Sequence, residues 1–360
     1  MIPSSLPAAA GLVLAAFVAV PAAADALPEL PRLGLSGSDT SVIGVSSGGY
    51  MATQLAVAWP ERFQGLAVLG AGPWSCAQGT LRRALGQCMT TRLGPPSLDE
   101  LEQRLADYRE LDRVGSAEAL AGLRAFVWHG GADETVAPAL GAALAKQLAG
   151  WLADPETQLR FVTSDNVGHG WPIGQRATPP PATELGDCRQ GGGTHLLGCG
   201  QDLTDEAMAW LHEAPPGASE SVANEAAEAE APASDLLHFD QGDFAVKGLD
   251  DSGYLFVPEA CTEGGCGLTV ALHGCGMGAE QIGETFVRHS GLNEWAAAHD
   301  RVVLYPQAET SLANPQGCWD WWGFAESTWQ LHPLHDTREG TQIRALMAML
   351  DRLQETATPH

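Results

Sequence analysis

TSVIGVSSGGYMATQLAVAWP, residues 40 to 60, decides how the rest of the chain is read. Thr40 to Val45 is a short β-branched run, the composition of a buried strand. Tyr50 to Trp59 reads as a helix, and Pro60 stops it, because proline has no N–H to give and clashes with the preceding turn. Between them lies Gly44-Val45-Ser46-Ser47-Gly48, a Gly-x-Ser-x-Gly pattern. In a chain with 42 glycines the bare pattern is weak. At a strand-to-helix junction it is strong: the turn is sharp, the serine is strained, and large neighbours would clash. Ser46 is therefore the candidate nucleophile, set against the plainer reading of a structural glycine turn.

A serine nucleophile needs a base, and the base needs an acid to orient it. Both are expected in loops after later strands. Leu66 to Leu69 is the second strand. Ser97-Leu-Asp-Glu100 is a capping box that opens a helix running to about Leu111. Phe126 to Trp128 is the third strand, followed at once by His129-Gly-Gly-Ala-Asp133. Asp133 is the candidate acid; its alternative is a cap for the helix Pro138 to Trp151, and Glu134 is the runner-up. Leu159 to Val162 is the fourth strand, followed by Val167-Gly-His169-Gly. His169, flanked by glycines, is the candidate base. His129 and His273 also sit at strand ends and read as core histidines or as groups behind the site. The other eight histidines read as surface.

Leu203 to His212 is a helix. Residues 213–235, EAPPGASESVANEAAEAEAPASD, contain no aromatic residue and read as a solvated acidic linker, or else as a short exposed helix. Strands Tyr254 to Val257, Leu268 to Leu272 and Val302 to Tyr305 follow, with helices Gln281 to Ala298 and Gln342 to Leu353. Strands that alternate with helices predict an α/β fold, a mostly parallel sheet with helices on both faces. Leu272-His-Gly-Cys-Gly276 reads as an oxyanion loop. Its Cys275 N–H would join that of Ser47 as the two donors. Cys275 also reads as half of a disulfide, which is compatible with a backbone donor. An ordinary α/β-hydrolase places this loop before the serine. Here it comes after Ser46, Asp133 and His169, so the expected fold is a circularly permuted α/β-hydrolase. The acidic linker would join the old termini, and the last helix would lead into the Val42 strand. Cys318-Trp-Asp-Trp-Trp-Gly323 gathers Trp319, Trp321 and Trp322, with Trp329 nearby. They read as a flat apolar surface for an ester substrate, or as core.

Composition narrows the field. Among 360 residues, 45% are hydrophobic and 18% charged, which permits a large core and excludes wholesale disorder. Asp and Glu number 44 against 19 Lys and Arg, for a formal charge of −25. A phosphate backbone would be repelled, so nucleic acid is excluded as a partner. Ala8 to Val20 is an apolar stretch and Ala22-Ala-Ala24 offers small residues for cleavage. Residues 1–24 thus read as a signal peptide, with a membrane anchor as the alternative, and 25–360 as a single domain. No later apolar run is long enough to span a bilayer. The eight cysteines of an exported chain suggest disulfides. Proximity suggests Cys76–Cys88, Cys188–Cys199 and Cys261–Cys266, leaving Cys275 and Cys318. No Cys-x-x-Cys pair has metal spacing, and neither a metal nor an organic cofactor is implied.

Residues 46–63 (SSGGYMATQLAVAWPERF), the Cys76–Cys88 segment, the Gly-His-Gly loop, ALHGC at 271–275 and GCWDWWG at 317–323 resemble secreted poly(3-hydroxybutyrate) depolymerases of the single-domain, circularly permuted type. The resemblance covers nearly the whole chain after residue 24, in the same motif order. It implies hydrolysis of a (R)-3-hydroxybutyrate polyester or its oligomers outside the cytoplasm. By motif, it implies Ser46 as nucleophile, Asp133 as acid, His169 as base, Ser47 and Cys275 as oxyanion donors, and Trp319 in the substrate cleft. With no separate polymer-binding domain, soluble oligomers are the expected preference. An esterase of plant-wall or other small esters would need the same triad. A catalytically inactive hydrolase fold that binds a polymer is the rival from another class.

Overall fold

The computed structural model describes residues 26–174, 177, 179–212, 234–326 and 332–356. The expected signal peptide, residues 213–233 of the expected linker and Trp329 lie outside the described residues. The strands are β1 (Thr40–Val45), β2 (Gly65–Leu69), β3 (Arg124–Gly130), β4 (Leu159–Ser164), β5 (Trp171–Pro172), β6 (Leu196–Leu197), β7 (Ser234–Asp240), β8 (Ser252–Pro258), β9 (Gly267–Leu272) and β10 (Arg301–Tyr305). Eight of them form one sheet in the order β4-β3-β2-β1-β9-β10-β8-β7, while β5 and β6 pair separately. All contacts in the large sheet are parallel except those of β8, which runs against both β7 and β10.

The central strands are apolar on both faces because both faces are covered. Side chains alternate in direction along a strand. Val42, Val68, Val127 and Val270 enter one core, and Ile43, Leu69, Phe126 and Ala271 the other. The helices α1 (Ser47–Ala58), α2 (Leu98–Glu110), α3 (Pro138–Ala149), α4 (Leu203–His212), α5 (Leu292–Ala298) and α6 (Thr341–Gln354) pack around this sheet. Ser97 caps α2, accepting the Glu100 N–H at 3.3 Å as the capping box requires.

Read from β7, the sheet runs first, second, fourth, third, then fifth to eighth, with only the second strand antiparallel. This is a circularly permuted α/β-hydrolase sheet, cut between its fourth and fifth strands. The old junction is visible in the hydrogen bonds. The Leu33 N–H donates to Leu353 O at 3.2 Å and the Gly34 N–H to Glu355 O at 2.8 Å, so the end of α6 lies against the approach to β1.

Two expectations need correction. Gln281 to Ala298 is not one helix but three pieces, Ala279–Ile282, Thr285–His289 and Leu292–Ala298. Gly283 (φ 59°) and Gly291 (φ 82°) turn the chain between them, at backbone angles that interrupt a helix. The expected linker also ends early. Ser234 and Asp235 already belong to β7, because β8 offers them an antiparallel ladder that composition does not reveal.

Candidate active site

Ser46 occupies the turn between β1 and α1 with φ 56° and ψ −120°, a conformation that costs roughly 1–3 kcal/mol for a residue with a side chain. The surroundings hold it there. The Ser46 N–H donates to Leu69 O at 2.9 Å, and its carbonyl accepts the Tyr50 N–H at 3.1 Å. A β-carbon on Gly44 would lie 2.2 Å from Gly48 O, and one on Gly48 would lie 2.2 Å from Leu272 O. Glycine at both positions is therefore a packing requirement of the turn.

β3 and β4 bring the other two groups to the same edge. The Ser46 hydroxyl lies 2.9 Å from His169 Nε2, and His169 Nδ1 lies 2.7 Å from Asp133 Oδ2. Nδ1 faces a carboxylate and so carries the proton, which leaves Nε2 bare to accept from the serine. Asp133 is buried. Its Oδ1 accepts the N–H groups of Thr135 and Val136, both at 2.8 Å. Burial alone would push its carboxyl up, but hydrogen bonds from His129 and His169 and the His169 charge override this and hold it well below the usual range. Glu134, the runner-up acid, is exposed.

His129 is fully buried behind Asp133. Its Nε2 lies 2.9 Å from Val136 O and 3.3 Å from Asp133 Oδ2. Two acceptors around one nitrogen place the proton on Nε2, so the N–H of His129 supports the carboxylate at Oδ2, while the backbone donors bind Oδ1. His273 is likewise buried. Its Nδ1–H donates to Gly274 O at 2.8 Å, and its Nε2 accepts the Ala308 N–H at 3.1 Å. Burial pushes its pKa down to about 4. It is a neutral brace for the loop that follows β9.

That loop reaches the serine because β9 lies beside β1, with Gly44 in register with Leu272. A β-carbon on Gly274 would lie 3.3 Å from Ser46 Cβ. Ser47 and Cys275 line the same cavity as Ser46 and His169, about 350 Å³ in volume. Neither spends its N–H on a protein acceptor among the described residues. Cys275 is bridged to Cys318, and Cys76–Cys88, Cys188–Cys199 and Cys261–Cys266 form the other disulfides.

The three tryptophans separate. Trp321 and Trp322 line the cavity, with Trp321 stacked on Tyr50 at 4.5 Å. Trp319 does not: it is fully buried, and its indole N–H donates to His273 O at 3.0 Å. It supports the loop after β9, which corrects the expectation that it faces substrate. Asp320 explains the split. It accepts the N–H groups of Gly323, Phe324 and Ala325 at 2.6, 2.8 and 3.0 Å, and so folds the loop around itself. Sequence reasoning missed Tyr50, Leu85, Met89, Gln316 and His195 in the lining. Only His195 carried a signal, the glycine run at 191–193 that precedes it.

Chemically, the arrangement suits acyl transfer. A hydroxyl is poised against a bare imidazole nitrogen, and two unspent N–H groups flank it where an oxyanion would form. No described helix is long and apolar enough to cross a membrane.

Comparison with known proteins agrees in kind. A model of the prolyl oligopeptidase family matches residues 22–178, the part that holds the serine, the aspartate and the histidine. The polyhydroxybutyrate depolymerase of Talaromyces funiculosus is 29% identical, over 94% of this chain and 96% of the relative. The poly(3-hydroxybutyrate) depolymerase of Delftia acidovorans is 30% identical over 90% of this chain, which spans 61% of that longer relative. Two solved structures superpose with a TM-score of 0.77 at 27% identity, covering 91% of this chain and 98% of theirs. One is the PHB depolymerase from Penicillium funiculosum, and the other is a serine-to-alanine PHB depolymerase complexed with an R3HB trimer.

Proposed function

This chain belongs to the polyhydroxybutyrate depolymerase family and is a serine hydrolase of ester bonds, and we propose that its substrate is poly(3-hydroxybutyrate) or oligomers of it, cleaved outside the cytoplasm. The observation that carries the reading is the continuous relay from the Ser46 hydroxyl through His169 to Asp133, set beside the N–H groups of Ser47 and Cys275. Ser46 attacks the ester carbonyl while His169 Nε2 takes its proton. The oxyanion gathers on the Ser47 and Cys275 N–H groups. His169 then gives the proton to the departing alkoxide, and an acyl group remains on Ser46. Water, activated by the same nitrogen, releases the hydroxy acid. Asp133 keeps the imidazole in the tautomer that both half-reactions need. The indoles of Trp321 and Trp322 supply apolar surface for the methyl-bearing chain. Export is supported by the four disulfides, which persist in oxidising compartments.

The test measures release of 3-hydroxybutyrate from polymer film and from soluble oligomers side by side. The reading expects release from at least one. In Ser46→Ala both rates should fall by about 10⁴ or more, with the thermal transition retained. Activity on aryl or plant-wall esters alone would move the assignment to the small-ester reading.

A further inference from the structure

One imidazole in the cavity wall takes no part in the relay. His195 sits on the strap that β5 and β6 form. The Trp171 N–H donates to its carbonyl at 2.7 Å, and its own N–H donates to Gly192 O at 3.0 Å. The Cys188–Cys199 disulfide closes the strap around it. Its φ of 60° is left-handed, unusual for a residue with a side chain and kept only where surrounding structure enforces it. The ring is thus presented from a fixed backbone.

Its protonation follows from its surroundings. Nδ1 is sealed from solvent with no hydrogen-bond partner among the described residues. A sealed N–H without an acceptor is the rarer and costlier orphan, so the proton of the neutral ring sits on Nε2. Burial, and then the neighbouring charge of His169, lower the pKa of His195 and favour the neutral form. Nε2 is turned toward Gly276: a β-carbon built there would lie 3.7 Å from it and 3.4 Å from Gln316 Oε1. Gly276 directly follows the oxyanion donor Cys275, and its N–H is fixed to Gln316 O at 2.7 Å. Neither His195 Nε2 nor the Gln316 side-chain amide has a protein partner among the described residues. An otherwise largely apolar cavity therefore offers two unspent polar groups at one place.

The chemistry says which part of a substrate arrives there. His169 returns its proton to the leaving oxygen, so the leaving unit departs beside His169, and His195 is the other imidazole lining that cavity, near enough for His169 to act on it electrostatically. In a 3-hydroxyalkanoate ester the leaving alcohol carries its own carbonyl, two carbons from the leaving oxygen. We propose that His195 Nε2–H, with Gln316 at the rim, forms a subsite for that carbonyl or carboxylate and selects esters of hydroxy acids over esters of plain alcohols. This rests on the serine-esterase reading above.

The test uses two substrates with the same 3-hydroxybutyryl group, one esterified to methyl (R)-3-hydroxybutyrate and the other to 2-butanol. The wild type should favour the first in kcat/KM. His195→Gly, which suits the left-handed backbone, should lower that preference about tenfold, the size of effect expected when one polar group loses its match. His195→Gln, which keeps an N–H donor, should recover most of it. An unchanged ratio in His195→Gly, whether or not both rates fall together, overturns the subsite. A wild type inert to both esters and unlabelled by a fluorophosphonate at Ser46 would instead overturn the esterase reading itself.

Discussion

Asp133 receives donors on both oxygens, and the one that chemistry least demands is the most informative. Thr135 and Val136 would fix any loop aspartate, and His169 must bind it for the relay to work. His129 adds a fourth donor, 3.3 Å from Oδ2, inside a fully buried pocket. A hydrogen bond to a charged acceptor is worth about 1.5–3 kcal/mol. If His129 serves to aim the carboxylate, His129→Leu should lower kcat by about 10–100-fold with KM little moved. His129→Gln, whose amide can still donate, should restore much of the loss. Steady-state kinetics on p-nitrophenyl butyrate, with melting curves to separate folding from aim, make the comparison. A leucine variant with wild-type kcat would mean that His169 and the two backbone donors suffice.

The loops that face the serine are held by covalent and polar ties rather than by regular structure. The loop after β9, with Cys275, has no ladder of its own. It is fixed by His273, by Trp319 beneath it and by the Cys275–Cys318 bridge, which joins residues 43 apart. Alkylation of unreduced, denatured protein should find no free thiol, and two or more labelled thiols would dismiss the four-bridge frame. Each native bridge contributes roughly 2–4 kcal/mol, so reducing all four should lower the melting temperature by about ten degrees or more. Activity should fall before the far-ultraviolet signal does, since the bridge at Cys275 positions a donor and the sheet does not depend on it.

At the scale of the whole molecule, acid and connectivity each offer a test. His273 is pushed down to about 4, chiefly by burial, and His212 to about 3 by burial and then by Arg301. Between pH about 6.5 and 4 the unfolded chain binds a proton at His273 and the folded chain does not. Stability must therefore rise with pH across that window and be lost on acidification, at about 1.4 kcal/mol per pH unit from this one group. Denaturant midpoints at pH 7 and pH 5 check the sign, and a higher midpoint at pH 5 would contradict it. For connectivity, a chain that starts at Ser234, runs through α6 and passes by a short tether into Leu30, which is buried in the core, should fold and hydrolyse esters. The ends to be joined already share hydrogen bonds, and tether length changes the closure cost by only about 0.6 kcal/mol per doubling. Insolubility at every tether length, while the parent chain refolds, would mean that residues 213–233 carry structure of their own.

The features legible along the chain are those that local chemistry enforces. β-branched runs make strands, Pro60 ends a helix, and glycines at 44 and 48 announce a turn too tight for any side chain. Motif order along the chain was enough to expect the permutation, because loops after successive parallel strands must gather at one edge. The tertiary structure alone decided what depends on partners distant in sequence. Ser234 and Asp235 became strand because β8 lay beside them. Gly283 and Gly291 broke a stretch whose apolar content read as continuous helix. Trp319 went into the core and Trp321 into the cavity wall because Asp320 gathered the loop's N–H groups, which composition cannot show. His195 reached the cavity only once the strap had closed around it. Spacing along a chain fixes which strand end a side chain leaves from; where it points depends on the surfaces that fold against it.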